Sequence, residues 1–122
     1  MGFLESSRIS FVGGVPMAEV VTKRLFDKKL ESYIEFAAEE FGRMTVKRWF
    51  ESVKKAVHRL SLFPESYSIV GKREDVSFRG ITIMRNFKII YYYDEKKDVV
   101  FLIDIWDVRQ NPKKNIIAGY SI

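Results

Sequence analysis

The sequence contains no cysteine and only one histidine, His58. Without cysteine there is no disulfide scaffold and no thiolate metal site, which suits a reducing cytosol. No HExxH motif, Gly-rich phosphate loop or clustered set of metal ligands appears, so neither a metal nor a cofactor is expected. His58 falls beside Glu51, Lys54 and Lys55, off the apolar stripe of its segment, and reads as a solvated helix residue. The apolar runs are short and broken by charge, so nothing reads as a membrane span and a cytoplasmic location is expected. Carboxylates paired across a pocket cannot be made out. What remains is cationic.

The 122 residues fit one domain, and a hydrophobic content of 47% is enough to bury a core. Lys and Arg number 21 against 16 Asp and Glu, giving a formal charge of +5. That excess points to an anionic partner, either nucleic acid or an acidic protein.

Three stretches divide the chain. Residues 1–16 are small and Gly/Ser-containing, with Gly13, Gly14 and Pro16, and read as a flexible leader. The alternative is an extra strand at 9–12. Residues 17–114 form the expected domain, and 115–122 a C-terminal tail. Within the domain, β-branched Val20, Val21 and Thr22 suggest a first strand over 18–24. From Phe26 the period becomes helical, with Leu30, Tyr33, Ile34, Ala37 and Phe41 on one stripe until Gly42. A second amphipathic helix carries Val46, Trp49, Phe50, Val53, Val57 and Leu60 and stops at Pro64. The short link at Gly42-Arg43 predicts an antiparallel helical hairpin. Strands are expected over 78–84, 87–93 and 99–106. Arg85-Asn86 reads as a tight turn, since Asn tolerates positive φ, and 94–98 as a charged loop. The fold class is therefore α+β: two helices packed on one face of a small antiparallel sheet, with Trp49, Phe50, Tyr91 and Phe101 in the core.

Strand alternation assigns the two faces. Ile89, Tyr91, Tyr93, Val99, Phe101, Ile103 and Ile105 are expected beneath the helices. Lys88, Ile90, Tyr92, Val100, Leu102, Asp104 and Trp106 fall on the other face. Of these, Ile90, Tyr92, Leu102 and Trp106 make a candidate partner-binding patch, Trp106 as its hot spot; the alternative is that the leader or the tail covers it. A loop symmetric about Lys96 sets Lys88 opposite Asp104, so Lys88 reads either as half of a cross-strand ion pair or as a substrate-facing cation. Arg79 shares the face of Lys88 if the 85–86 turn has two residues, and turns towards the helices if the loop has three. Arg79, Lys88 and Arg109 are the candidate activity residues, because cations hold phosphates and stabilise phosphoryl transition states. The same residues would also serve solubility alone.

Several short motifs resemble those of the RelE/ParE toxins. They are Leu30-x-x-Tyr33-Ile34, Leu60-x-x-Phe63-Pro64, Phe78-Arg79-Gly80, Asn86-Phe87-Lys88-Ile89-Ile90-Tyr91 and Ile103-x-x-Trp106-Asp107-x-Arg109-Gln110-Asn111-Pro112. The resemblance covers about 18–114. It implies two helices on an antiparallel sheet and a cognate acidic antitoxin that neutralises the protein, as a homodimer or a heterotetramer with the antitoxin. RelE-like members are ribosome-dependent messenger RNA endoribonucleases. ParE-like members poison DNA gyrase and are not nucleases. By position, Lys88 falls where ribonuclease members often have Arg, and Arg109 on the cationic position after the last strand. Arg79 resembles an Arg at the start of the preceding strand. No Tyr or His follows Arg109 at the short spacing of the ribonucleases; Asn115 stands near there and Tyr120 comes later. The lysine pair before the hairpin is also missing. These departures favour the ParE-like reading, a toxin acting on an essential target protein, over an interferase or an inactive basic binding module.

Overall fold

A computed structural model of the protein describes residues 11–12, 15–110, 117, 119 and 120. Strand β1 (Phe11–Val12) pairs antiparallel with β2 (Val15–Pro16) as a separate two-stranded sheet. The strand considered at 9–12 is therefore present at its last two residues, and residues 1–10 lie outside the described residues. The main domain runs β3 (Glu19–Thr22), α1 (Arg24–Glu40), α2 (Arg43–Leu62), β4 (Ile69–Arg73), β5 (Val76–Ile83), β6 (Phe87–Asp94) and β7 (Val99–Asp107).

The helical hairpin forms for the reason its sequence suggests. Phe41 and Gly42 both donate their amides to the Ala37 carbonyl, closing α1. Gly42 adopts φ 84°, a left-handed conformation that costs glycine little, so it ends one helix and starts the next. The stripes of both helices then bury Phe26, Leu30, Ala37, Trp49, Val53, Ala56, Val57 and Leu60 against the sheet. Phe50 is only half-buried.

The sheet order is β3-β7-β6-β5-β4. The α+β class stands, with two helices over a five-stranded sheet. The sheet is mixed: β3 lies parallel to β7, Glu19 against Val99 through Thr22 against Leu102, while the other pairs are antiparallel. Because a helical hairpin separates β3 from the meander, the chain returns across the sheet before β7 is laid beside it. Strand β4 was not expected, since its sequence IVGKR is short, glycine-containing and charged.

The face assignment holds for β6 and fails in part for β7. Ile90 pairs with Asp104, yet Tyr91 pairs with Leu102, so Ile103 is an extra residue on β7. A bulge of this kind reverses the alternation on the bulged strand. Val100 and Leu102 consequently lie in the helix-side core with Ile89 and Tyr91, whereas Phe101 and Ile103 pack on the second face with Phe78, Ile90 and Tyr92. After the bulge Ile105 returns to the helix side and Trp106 to the second face, as expected. Each face of the sheet thus has its own core.

Candidate functional site

The second face is not open. Tyr120, 8% exposed, packs on it edge-on to Phe78 at 5.6 Å, and Ile117 joins the same cluster. Gly71 in β4 makes the room: a Cβ there would meet the Ile117 side chain at 2.4 Å. Arg73 donates to the Ile117 carbonyl at 3.3 Å. Of the expected partner patch, Ile90 and Tyr92 are buried and Trp106 is half-buried under this cover, while Leu102 lies beneath the helices because of the bulge. Ile117 and Tyr120 of the tail lie over this face.

A polar chain ties the cover to the helices. Trp106 Nε1 donates to the Tyr120 hydroxyl at 2.8 Å, and that hydroxyl donates to Asp104 Oδ2 at 2.5 Å. Asp104 is 5% exposed. Its Oδ1 accepts the Ile105 amide at 2.7 Å and faces Lys29 Nζ of α1 at 3.0 Å. Lys29 also donates to the Ile105 carbonyl at 3.3 Å. Burial of the ring, followed by the hydrogen bond to Asp104, pushes the Tyr120 phenol well above the ordinary range. The hydroxyl therefore remains a proton donor at any physiological pH.

The three candidate cations do not converge. Three residues, 84–86, separate Ile83 from its partner Phe87, and positive φ falls on Met84 and Arg85 rather than on Asn86. With that loop length Arg79 sits opposite Tyr91 on the helix side, where its Nη1 donates to the Tyr67 carbonyl at 2.8 Å. Lys88 lies on the second face, across from Trp106 and not from Asp104. The expected Lys88–Asp104 ion pair is replaced by Lys29–Asp104, because the bulge and the four-residue loop shift the register. The Lys88 stem lies over Gly80, whose missing side chain accommodates it. Arg109 stands beyond the far end of β7. It grips Asp107 through two hydrogen bonds of 3.0 and 2.9 Å and lies over the Phe87 ring at 5.5 Å. The Arg109 hydrogen bond holds the Asp107 carboxyl below its usual value, against the opposing effect of burial.

A cleft of about 740 Å³ opens where the β4–β5 turn meets the β6–β7 loop. Tyr92 and Phe101, stacked at 5.0 Å, line it, and Lys23 lies over Phe101 at 4.8 Å. Arg79 reaches the cleft, but Lys88 and Arg109 do not. Four cations and four carboxylates border it, so no net positive potential gathers there. No cluster of metal-ligating side chains exists among the described residues. No described helix is long and apolar enough to cross a membrane.

Sequence reasoning missed the Lys29–Asp104–Tyr120–Trp106 chain. Trp106 and Asp104 were placed on one face, but nothing local signals that Lys29 and Tyr120, 75 residues before and 16 after Asp104, meet there.

Comparison with known proteins follows the same lines. The family model described as "ParE toxin of type II toxin-antitoxin system, parDE" matches residues 20–112. Among solved structures, a chain titled "Chromosomal ParDE TA system from P. aeruginosa" superposes with a TM-score of 0.58 at 13% identity, covering 73% of this chain and 94% of that one. Among curated proteins none matches significantly. The matched segment takes in β3 from its second residue, both helices and all four strands of the meander, together with Arg79, Lys88 and Arg109. The chain belongs to the ParE toxin family of type II toxin–antitoxin systems.

Proposed function

We propose that this protein arrests growth by binding an essential intracellular protein, DNA gyrase being the expected target, and that a cognate acidic antitoxin neutralises it. The observation carrying this reading is the dispersal of the three candidate activity residues. Arg79 is on the helix side, Lys88 on the opposite face, and Arg109 beyond the end of β7, already engaged with Asp107. Phosphoryl transfer to or from RNA requires cations gathered around one developing charge. Scattered cations suit protein recognition better. The Tyr120 hydroxyl, the sole described candidate for the C-terminal tyrosine of the ribonucleases, is buried and committed to Asp104.

Antitoxin contact through the sheet's second face requires Ile117 and Tyr120 to leave it, which uncovers Ile90, Tyr92 and Trp106 but not Leu102. Induced expression with and without the neighbouring gene, followed by assays of DNA supercoiling and of translation, tests the whole reading. We expect growth arrest with altered supercoiling and continued translation, relieved by the neighbour. Arrest with cleaved messenger RNA and normal supercoiling would instead establish the interferase, and absence of arrest the inactive binding module.

A further inference from the structure

The molecule's net charge is concentrated on one helix. α2 carries Arg43, Lys47, Arg48, Lys54, Lys55 and Arg59 against the single carboxylate Glu51, a balance of +5. The whole chain also stands at +5, so the other 102 residues hold 15 charges of each sign. All six cations are exposed. Among the described residues none has a carboxylate at ion-pair distance. At 100° and 1.5 Å per residue they occupy an arc of about 160° over about 24 Å of helix.

Only part of this arrangement helps the helix: Arg59 lies in the last turn, and Glu51 stands four residues from Lys47 and from Lys55. Arg43 stands in the first turn, where no acidic residue is present and the macrodipole is positive. Arg43 with Lys47, and Lys55 with Arg59, are like charges four residues apart, a spacing that destabilises. Neighbouring α1 has the opposite bias, with Asp27, Glu31, Glu35, Glu39 and Glu40 against three cations, yet no described ion pair joins the two helices. The remaining cations gain nothing from α2 or from described carboxylates, and an exposed face with five positive charges in excess points to an external polyanion.

The surroundings decide the kind of polyanion. Between Arg43 and Arg59 the arc presents one apolar side chain, Met44, with exposed Phe41 and Phe63 only beyond its two ends, so an acidic protein segment would find few anchors along it for the buried contacts that carry protein affinity. Along its length the arc presents no Phe, Tyr or Trp ring on which successive single-stranded bases would stack, Phe41 and Phe63 lying beyond its two ends. Duplex DNA carries about one phosphate charge per 1.7 Å of its axis, dense enough to meet cations spread over about 24 Å of helix without any base contact. We propose that the outer face of α2 docks on the phosphate backbone of duplex DNA without regard to sequence. The proposal is independent of the toxin's target.

The test is fluorescence anisotropy of a labelled 20-base-pair DNA duplex with the full chain, from 50 to 300 mM salt. Each phosphate contact contributes about 0.9 to the slope of log affinity against log salt. The triple variant Lys47→Gln, Lys54→Gln, Lys55→Gln should lower that slope by about 2.7 and weaken binding at 100 mM salt on the order of 100-fold, with an unchanged circular dichroism spectrum. The control Lys72→Gln, Lys96→Gln, Lys97→Gln removes equal charge elsewhere and should leave most of the affinity. Equal losses in the two variants would reduce the effect to net charge and overturn the docking face. So would failure to bind DNA, or tighter binding of duplex RNA or of polyglutamate at the same salt.

Discussion

At the residue scale, Tyr120 is the most consequential single side chain outside the helix-side core. Tyr120→Phe keeps the ring against Phe78 but strips partners from buried Asp104 and from the Trp106 indole. The loss should be about 1–3 kcal/mol, read as a lower urea midpoint with unchanged slope. The tyrosines also set the alkaline limit. Tyr33, Tyr91, Tyr92, Tyr93 and Tyr120 all have phenols raised by the fold, Tyr93 to about 12 through its hydrogen bond to Asp98. A raised phenol stabilises the native state fully below its unfolded value near 10 and loses that contribution as pH climbs through the folded value. Ultraviolet titration should therefore find far fewer phenolates in the native protein at pH 11 than in the unfolded chain. Asp107 works in the opposite sense. Its lowered carboxyl contributes above pH about 4 and ceases to contribute as pH falls below that range. Arg109→Ala should remove this acid-side dependence at little cost to the fold, since Arg109 is largely exposed although the Asp107 side chain it grips is not. The same variant should abolish growth arrest, because Arg109 is exposed where the chain leaves the sheet and can turn its guanidinium from Asp107 to a target. A folded, fully toxic Arg109→Ala would end its candidacy.

At the scale of elements, the bulge at Ile103 governs what each strand residue does. Phe101 was expected beneath the helices; it is half-buried on the second face, stacked on Tyr92. Phe78, fully buried there, occupies the more demanding position. Phe78→Ala should cost about 3–5 kcal/mol and Phe101→Ala distinctly less, as thermal melts would resolve. The helices, the hairpin glycine and strands β5 to β7 were legible because apolar period and turn residues are local signals. The bulge was not, because an extra residue changes neither composition nor hydrophobicity: Val99 to Ile103 is apolar throughout and reads equally well in either phase. Strand β4 escaped for lack of apolar alternation. The candidate cations can be named from the sequence but not placed, since the side of Arg79 depends on one loop residue and the partner of Lys88 on the bulge in β7. The basic helix was visible in the sequence, yet the overall +5 was read as a property of the chain and not of α2.

At the scale of the whole molecule, the sheet is clasped from both sides, by the helical hairpin and by Ile117 and Tyr120. Gly71→Val would drive a side chain into the space of Ile117 and should loosen the second cover while leaving the helix-side core in place. We expect increased dye binding to the exposed aromatic face at nearly native helix content. The edge of the sheet is closed differently. Strand β3 accompanies β7 only as far as Leu102, and beyond it no described strand flanks that side. There the amide of Ile105 is taken by Asp104 and its carbonyl by Lys29. A bare strand margin would be a template on which a second molecule could add its own strand, and a third after it. With both backbone groups of Ile105 already taken by Asp104 and Lys29, an incoming strand finds no free pairing partner at that residue.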